Sequence, residues 1–320
     1  MKKPMKEKYF GCLLGLGVGD ALGAAVEFIS LEEIKKKYGA SGIEDFDSWG
    51  GFEAGSYTDD TQMTLATTRG LIKSAKKQKK KGRWKPEFMV YKEYLKWLET
   101  QDDPSQVRAP GKTCLSALNS GKMGTMEKPF NNSKGCGGVM RVAPVGLAYE
   151  GANAFYIGAK TAAVTHGHAS GYLSAGFLAE LISYMKEDRD LREPIKKARQ
   201  TLFLYEGHKE TLEKMDEALE LAQSRESVEK SVEKIGKGFT GEEALAVSVF
   251  CSLKFESDFT SGIKAAVNHS GDSDSTGAIT GAILGAKLGK EAIPIHWIEQ
   301  LENAKEIKNL AEKMYQVFSE

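Results

Sequence analysis

With 320 residues, 41% hydrophobic and 9% aromatic, the chain has ample apolar material for one substantial core, which excludes disorder for its bulk. Lys plus Arg and Asp plus Glu both number 44, so the formal net charge is zero and no bulk attraction to nucleic acid or to an anionic membrane is expected. The four cysteines (Cys12, Cys114, Cys136, Cys251) lie far apart with no Cys-x-x-Cys pair, which argues against a disulfide framework or a zinc site and points to a reducing cytoplasm.

The chain starts basic, but the apolar stretch that follows is interrupted by Tyr9, four glycines and Asp20, unlike the h-region of a signal peptide. There is no run of about eighteen apolar residues, so no membrane span is predicted. A first helix is predicted over 7–24, with Gly11, Gly15, Gly19 and Gly23 on one bare face. Glycine costs about 1 kcal/mol inside a helix, so this stripe predicts close approach of a neighbouring backbone. A loop rich in Gly, Ser and acids follows over 39–57, with a weak strand signal at 42–46. The next helix starts at Thr58 or Asp59, and the basic stretch 73–85 reads as its solvated end and a loop. Further helices are predicted at 87–100, 111–120, 152–164, 169–186, 192–206, 208–223, 226–234, 241–254, 258–268, 275–288 and 299–318. Pro144 belongs in a helix's first turn or at a kink. No hairpin signal, repeat or low-complexity linker is present, so the expectation is a single all-α domain over residues 1–320.

Two turns carry more oxygen than a helix cap needs. One is Ser56-Tyr-Thr-Asp-Asp-Thr61; the other is Asn268-His-Ser-Gly-Asp-Ser-Asp-Ser-Thr-Gly277. Asp, Ser and Thr are good N-caps, which accounts for either turn alone. Together they supply four carboxylates, the ligands that hard cations prefer. If the turns meet, the carboxylates repel one another unless about two divalent ions neutralise them, so a shared two-metal site is favoured over two unrelated caps.

The segment Asn131-Asn-Ser-Lys-Gly-Cys-Gly-Gly-Val-Met-Arg141 places three glycines before a helical stretch. Exposed amides there suit a pyrophosphate, although a plain glycine turn gives the same pattern, and it is neither a P-loop nor a Rossmann fingerprint. Arg141 suits either a phosphate or a buried ion pair. His166 and His168 lie at a helix junction; with no further ligand at suitable spacing, capping or core hydrogen bonding is favoured over zinc.

Taken in order, six segments resemble the ADP-ribosylglycohydrolase family. They are Gly11-Cys-Leu-Leu-Gly-Leu-Gly-Val-Gly-Asp-Ala-Leu-Gly23, Thr58-Asp-Asp-Thr61, Gly137-Gly-Val-Met-Arg-Val-Ala-Pro144, Thr165-His166, Gly271-Asp-Ser-Asp-Ser275 and Ile293-Pro-Ile-His-Trp297. The resemblance implies a compact orthogonal multi-helix bundle around a central pair of magnesium (or manganese) ions. It implies Thr58, Asp59, Asp60, Asp272, Asp274 and Ser275 as metal ligands, with Ser275 standing where threonine is common. It implies catalytic roles for Glu27, Asp59 and Asp60, and substrate contacts from Ser133, Gly135, Cys136, Gly137, Gly138 and His166. Cys136 stands where relatives often carry asparagine. Arg108-Ala-Pro-Gly-Lys-Thr113 replaces an expected Asp-x-Gly, with Asp102 and Asp103 close by in sequence.

The implied activity is removal of ADP-ribose from a modified acceptor by a monomer, with arginine linkage ahead of serine-linked or small-molecule conjugates. Rival readings are a silent ADP-ribose-binding relative, whose acidic motifs should be eroded, and a two-metal phosphatase, which should carry metal-binding histidines.

Overall fold

The glycine stripe has its partner. In the computed structural model, which describes residues 5–82, 85–185 and 190–319, helix α1 (Met5–Gly23) runs antiparallel against α14 (Ser273–Leu288) through the centre of the molecule. A Cβ on Gly11 would lie 2.1 Å from the Gly285 carbonyl oxygen, one on Gly15 would lie 2.3 Å from that of Gly281, and one on Gly19 would lie 2.0 Å from that of Gly277. The two backbones therefore touch, and glycine is the residue whose lack of a side chain permits it. The stretch Met5–Val26 is long and apolar enough to cross a bilayer, but here it is a core helix buried on nearly every side.

Fourteen other helices surround this pair, and no strand occurs among the described residues. After α2 (Leu31–Tyr38), α3 (Asp59–Lys81) packs with α4 (Pro86–Thr100), and α5 (Lys112–Asn119) leads to the glycine loop. A short α6 (Ala143–Ala148) carries Pro144 in its first turn, as expected. Helices α7 (Gly151–Ala163) and α8 (Ala169–Met185) form a second tight pair, followed by α9 (Arg192–Leu202). Next come α10 (Lys209–Gln223), α11 (Val228–Ile235), α12 (Gly241–Lys254) and α13 (Phe259–Val267), with α12 and α13 both against α14. The chain ends in α15 (Ile295–Gln300) and α16 (Ala304–Phe318). The all-α expectation therefore holds.

Several local expectations need correction. Helix α2 goes unpredicted, although Ser30 and Glu33 form a capping box: the Ser30 hydroxyl accepts from the Glu33 amide at 3.2 Å, and the Ser30 amide donates to Glu33 Oε2 at 2.9 Å. The basic stretch forms the end of α3, which runs to Lys81 with Gly82 as its cap; Arg83 and Trp84 lie outside the described residues, as does Lys186 at the end of a predicted helix. The segment 42–46 is not a strand. Its Ile43 backbone is instead clasped by the Asn268 side chain, which accepts from Ile43 N–H at 2.8 Å and donates to its carbonyl at 3.0 Å. The single helix predicted over 299–318 is broken at Asn303, which adopts a left-handed φ of 52° and lets the chain turn into α16.

Candidate active site

Because α1 and α14 are antiparallel, the C-terminal end of α1 meets the N-terminal end of α14. A Cβ on Gly23 would lie 2.3 Å from the Ser273 carbonyl, so Asp274 packs against the end of α1. Glu27 follows the single tight turn Ala24–Val26 that ends α1, and the Phe28 amide, at a left-handed φ of 61°, donates to the Gly271 carbonyl at 2.8 Å. This bond stitches the Glu27 turn to the second acidic turn.

The first acidic turn is held by Asp20, a residue whose site role the sequence reading misses. Its fully buried carboxylate accepts the Thr58 and Thr61 amides, both at 2.9 Å, and the Thr61 hydroxyl at 2.5 Å. The available signal is a lone carboxylate within the otherwise uncharged stretch 9–26. Thr58 Oγ1 accepts the Asp60 amide at 3.2 Å and caps α3, and the fully buried Thr58 lies behind Asp59 and Asp60, which line the cavity described below. Asp20→Ala would leave two buried amides and a hydroxyl without their acceptor. A loss of roughly 3–5 kcal/mol in urea denaturation is expected, with Asp20→Asn losing less because one acceptor oxygen remains.

The two turns meet. The Ser275 hydroxyl donates to Asp60 Oδ2 at 2.9 Å across 215 positions of sequence. Asp272 occupies the cap position of α14 but makes no capping bond; its Oδ2 accepts the Cys136 thiol at 3.0 Å. Carboxylate oxygens of Glu27, Asp272 and Asp274 lie within 4.8 Å of one another. Asp59 enters from α3, its Oδ2 accepting the Gly111 amide at 3.3 Å while its own amide donates to the Arg108 carbonyl at 2.9 Å. Arg108 anchors that loop through paired bonds to Glu302 at 2.8 and 3.0 Å. The segment 108–113 thus supplies an amide, not an acid, and Asp102 and Asp103 are exposed and do not line the cavity.

Glu27, Asp59, Asp60, Asp272, Asp274 and Ser275 line one cavity of about 280 Å³, together with Gly135, Cys136, Gly137 and His166. Grooves of about 450 and 630 Å³ lie along α3 and α4, but no comparable set of acids converges on them. The acids of the cavity are held in an unfavourable state. Burial, then Asp272, Asp59 and Asp20, push Glu27 up to about 9. Burial pushes Asp59 up to about 8, against the Gly111 amide and Arg141, which favour its charged form. Burial and neighbouring carboxylates raise Asp60 and Asp274 well above the usual range, and burial raises Asp272. A cluster of oxygen donors with this excess of negative charge, at the N-termini of two helices, fits divalent cations of the magnesium type.

The remaining predicted residues divide. A Cβ on Gly137 would meet the His166 ring at 2.9 Å and Cys114 Sγ at 3.0 Å, so a bare backbone is required there. The Gly135 amide donates to Ser133 Oγ at 3.3 Å and that of Cys136 to the Phe239 carbonyl at 3.2 Å, so these two amides are engaged within the protein. Ser133 and Gly138 do not line the cavity: Ser133 Oγ bonds Thr113 Oγ1 at 3.1 Å, and a Cβ on Gly138 would press on the Gly171 carbonyl at 2.8 Å. Arg141 is fully buried and stacks on Tyr94 at 4.3 Å, which is neither of the roles expected for it. His168 Nδ1 accepts the Ser170 amide at 3.2 Å at the start of α8. Cys114, Met140, Lys112 and Phe28 line the cavity without having been singled out.

The family model for ADP-ribosylglycohydrolases matches residues 1–320. The chain belongs to the ADP-ribosylglycohydrolase family. It is 32% identical to an uncharacterized protein of Archaeoglobus fulgidus over 98% of this chain and 97% of that one. It is 26% identical to the ADP-ribosyl-[dinitrogen reductase] glycohydrolase of Rhodospirillum rubrum, over 92% and 90% of the two chains, and 26% identical to ADP-ribosylhydrolase ARH3 of Gallus gallus, over 99% and 95%. A solved ADP-ribosylglycohydrolase-related protein complex shares the fold, with a TM-score of 0.75 at 24% identity and 98% coverage of both chains. Membership makes the chain a glycohydrolase acting on ADP-ribose conjugates.

Proposed function

We propose that this glycohydrolase removes ADP-ribose from a modified acceptor, arginine-linked first, in a divalent-metal-dependent reaction within the acidic cavity. The observation that carries the reading is the Ser275–Asp60 bond, which unites two acidic turns on one cavity. Two magnesium or manganese ions held by Thr58, Asp59, Asp60, Asp272, Asp274 and Ser275 would neutralise these oxygens and orient the hydroxyls of a ribose.

The chain's own groups do the rest. Asp20 and the Thr58 cap keep Asp59 and Asp60 aimed into the cavity. Glu27 lies beside Asp272 and Asp274 with a carboxyl that keeps its proton to about 9 while those aspartates stay unneutralised. Once they are neutralised, its affinity for a proton falls toward the range in which it can take one from water or give one to the leaving group. His166 stays neutral because burial, then the charge of Arg141, push it down to about 3, so it meets the substrate as an uncharged hydrogen-bonding group. In the cytoplasmic location proposed here, the thiols of Cys12, Cys114, Cys136 and Cys251 would stay reduced.

One observation favours a second acceptor: Lys112 lines the cavity, and its positive charge suits an uncharged serine-linked leaving group better than a guanidinium. Incubation with ADP-ribosyl-arginine and ADP-ribosyl-serine peptides, each with and without chelator, tests both readings. Release of ADP-ribose from one peptide, stopped by chelator and restored by magnesium or manganese, is expected. Chelator-insensitive release would end the metal reading, and preference for the serine conjugate would select the second acceptor.

A further inference from the structure

Arg141 has no carboxylate bonded to it among the described residues, although its guanidinium is fully buried. Its Nη1 approaches Met63 Sδ at 3.3 Å and Cys114 Sγ at 3.4 Å, its plane covers Tyr94, and its Nε has no partner. Burying a cation among such weak acceptors is costly, so its single strong bond calls for an explanation. That bond runs from Nη2 to Thr165 Oγ1 at 2.5 Å, and Thr165 Oγ1 in turn lies 2.9 Å from His166 Nδ1.

We propose that Arg141 is a positioning residue that, through Thr165, holds His166 in the Nε2–H tautomer, so that the imidazole presents a hydrogen-bond donor to the cavity. The inference rests on the function proposed above and deepens it. A guanidinium only donates, whereas a hydroxyl has one proton and can both give and accept. With Arg141 donating to one lone pair of Thr165 Oγ1, the Thr165 proton meets no acceptor among the described residues other than Nδ1, so the arrangement that satisfies all three groups makes Nδ1 the acceptor nitrogen. A neutral ring with Nδ1 bare carries its proton on Nε2.

The geometry of the glycine loop agrees with this polarity. Nε2 is the ring nitrogen beside the loop: a Cβ on Gly135 would lie 3.5 Å from it, and one on Gly137 would lie 3.1 Å from it. Side chains at these positions would cover the donor. The ligand group that fits is therefore an acceptor, a phosphate or hydroxyl oxygen of the ADP-ribosyl moiety. An uncharged donor also avoids placing a titrating cation beside a cavity that has to gather divalent ions.

The tautomer is readable without any activity. In the full chain labelled with 15N-histidine, two-bond 15N–1H spectra distinguish a protonated from a bare ring nitrogen. The expected result is His166 with bare Nδ1 and protonated Nε2. Thr165→Val, close to isosteric, breaks the relay: both tautomers should appear, and KM for the ADP-ribose conjugate should rise about tenfold with kcat little changed, as for one lost hydrogen bond. Thr165→Ser should restore both. Arg141→Met frees the Thr165 oxygen to accept from Nδ1–H and should also mix the tautomers. A wild-type ring protonated on Nδ1 would overturn the proposal, as would a Thr165→Val protein with unaltered tautomer and KM. If no ADP-ribose conjugate is turned over at all, the functional reading fails, while the spectra still decide the relay.

Discussion

Replacing Asp60 with alanine is expected to lower ADP-ribose release on the order of 10³-fold and, at the same time, to make the metal-free protein more stable at alkaline pH. The two effects share one cause. Asp60 is buried, accepts the Ser275 hydroxyl, and is raised by burial and then by Asp20, Asp59 and Asp272. A carboxyl whose folded value exceeds its unfolded value of about 4 binds its proton more tightly in the folded state. Its contribution to stability is full below the unfolded value and is lost as pH rises through the folded one. For Asp59 and Glu27 that loss reaches up to about 8 and about 9.

Chelator-treated wild-type protein should therefore lose denaturation temperature progressively between about pH 5 and 9. Magnesium or manganese should reverse the loss, by roughly 4 kcal/mol at a thousandfold excess over the dissociation constant. Removing one of the repelling carboxylates should flatten the pH profile and sharply reduce the response to metal. Thermal denaturation of both proteins across this pH range, with and without the ion, is the measurement. A metal response of equal size in Asp60→Ala would exclude Asp60 from the ion site.

Gly19→Ala is expected to be among the most damaging single methyl additions in the fold, costing roughly 3–5 kcal/mol in chemical denaturation. The added Cβ would lie 2.0 Å from the Gly277 carbonyl oxygen and 2.3 Å from its carbon. Both are backbone atoms of α14, so no rotamer change relieves the clash and the helices must separate. Separation moves the N-terminus of α14, which carries Asp272, Asp274 and Ser275, so activity should fall even in molecules that remain folded. Gly17→Ala is the control on the same helix. Its Cβ would meet only the side-chain ends of Ile307 and Leu301, both at 3.3 Å, which can yield by a few tenths of an ångström. A loss of less than about 1 kcal/mol is expected there, offset by alanine's better helix propensity. Equal losses in the two variants would mean that the cost is one of propensity and not of contact.

What could be read early and what could not follows from the range of the interactions involved. The spacing of Gly11, Gly15, Gly19 and Gly23 declares a bare helix face, and Gly277, Gly281 and Gly285 on α14 repeat the period. Thr58 as cap of α3 and Pro144 in the first turn of α6 are settled by residues within one helical turn. Helix α2 was equally local, in its Ser30 and Glu33 and in the helical spacing of Leu31, Ile34 and Tyr38, but it spans only eight residues, too few for the pattern to stand out. Asn303 shows the opposite limit: asparagine tolerates the left-handed region, but it does not demand it, and here the turn lets α16 pack against α1 and α3.

The same division runs through the site. Local sequence determined the chemistry on offer, namely oxygen-rich turns at helix starts, a glycine loop and a histidine at a helix junction, because polarity, spacing and capping act over a few residues. The tertiary structure alone decided which groups share a cavity. It gave Asp20 the task of holding α3, set Arg141 behind His166, and brought Ser275 to Asp60. Those contacts depend on two helices at opposite ends of the chain meeting backbone to backbone, and no short stretch of residues encodes which distant face will be its partner.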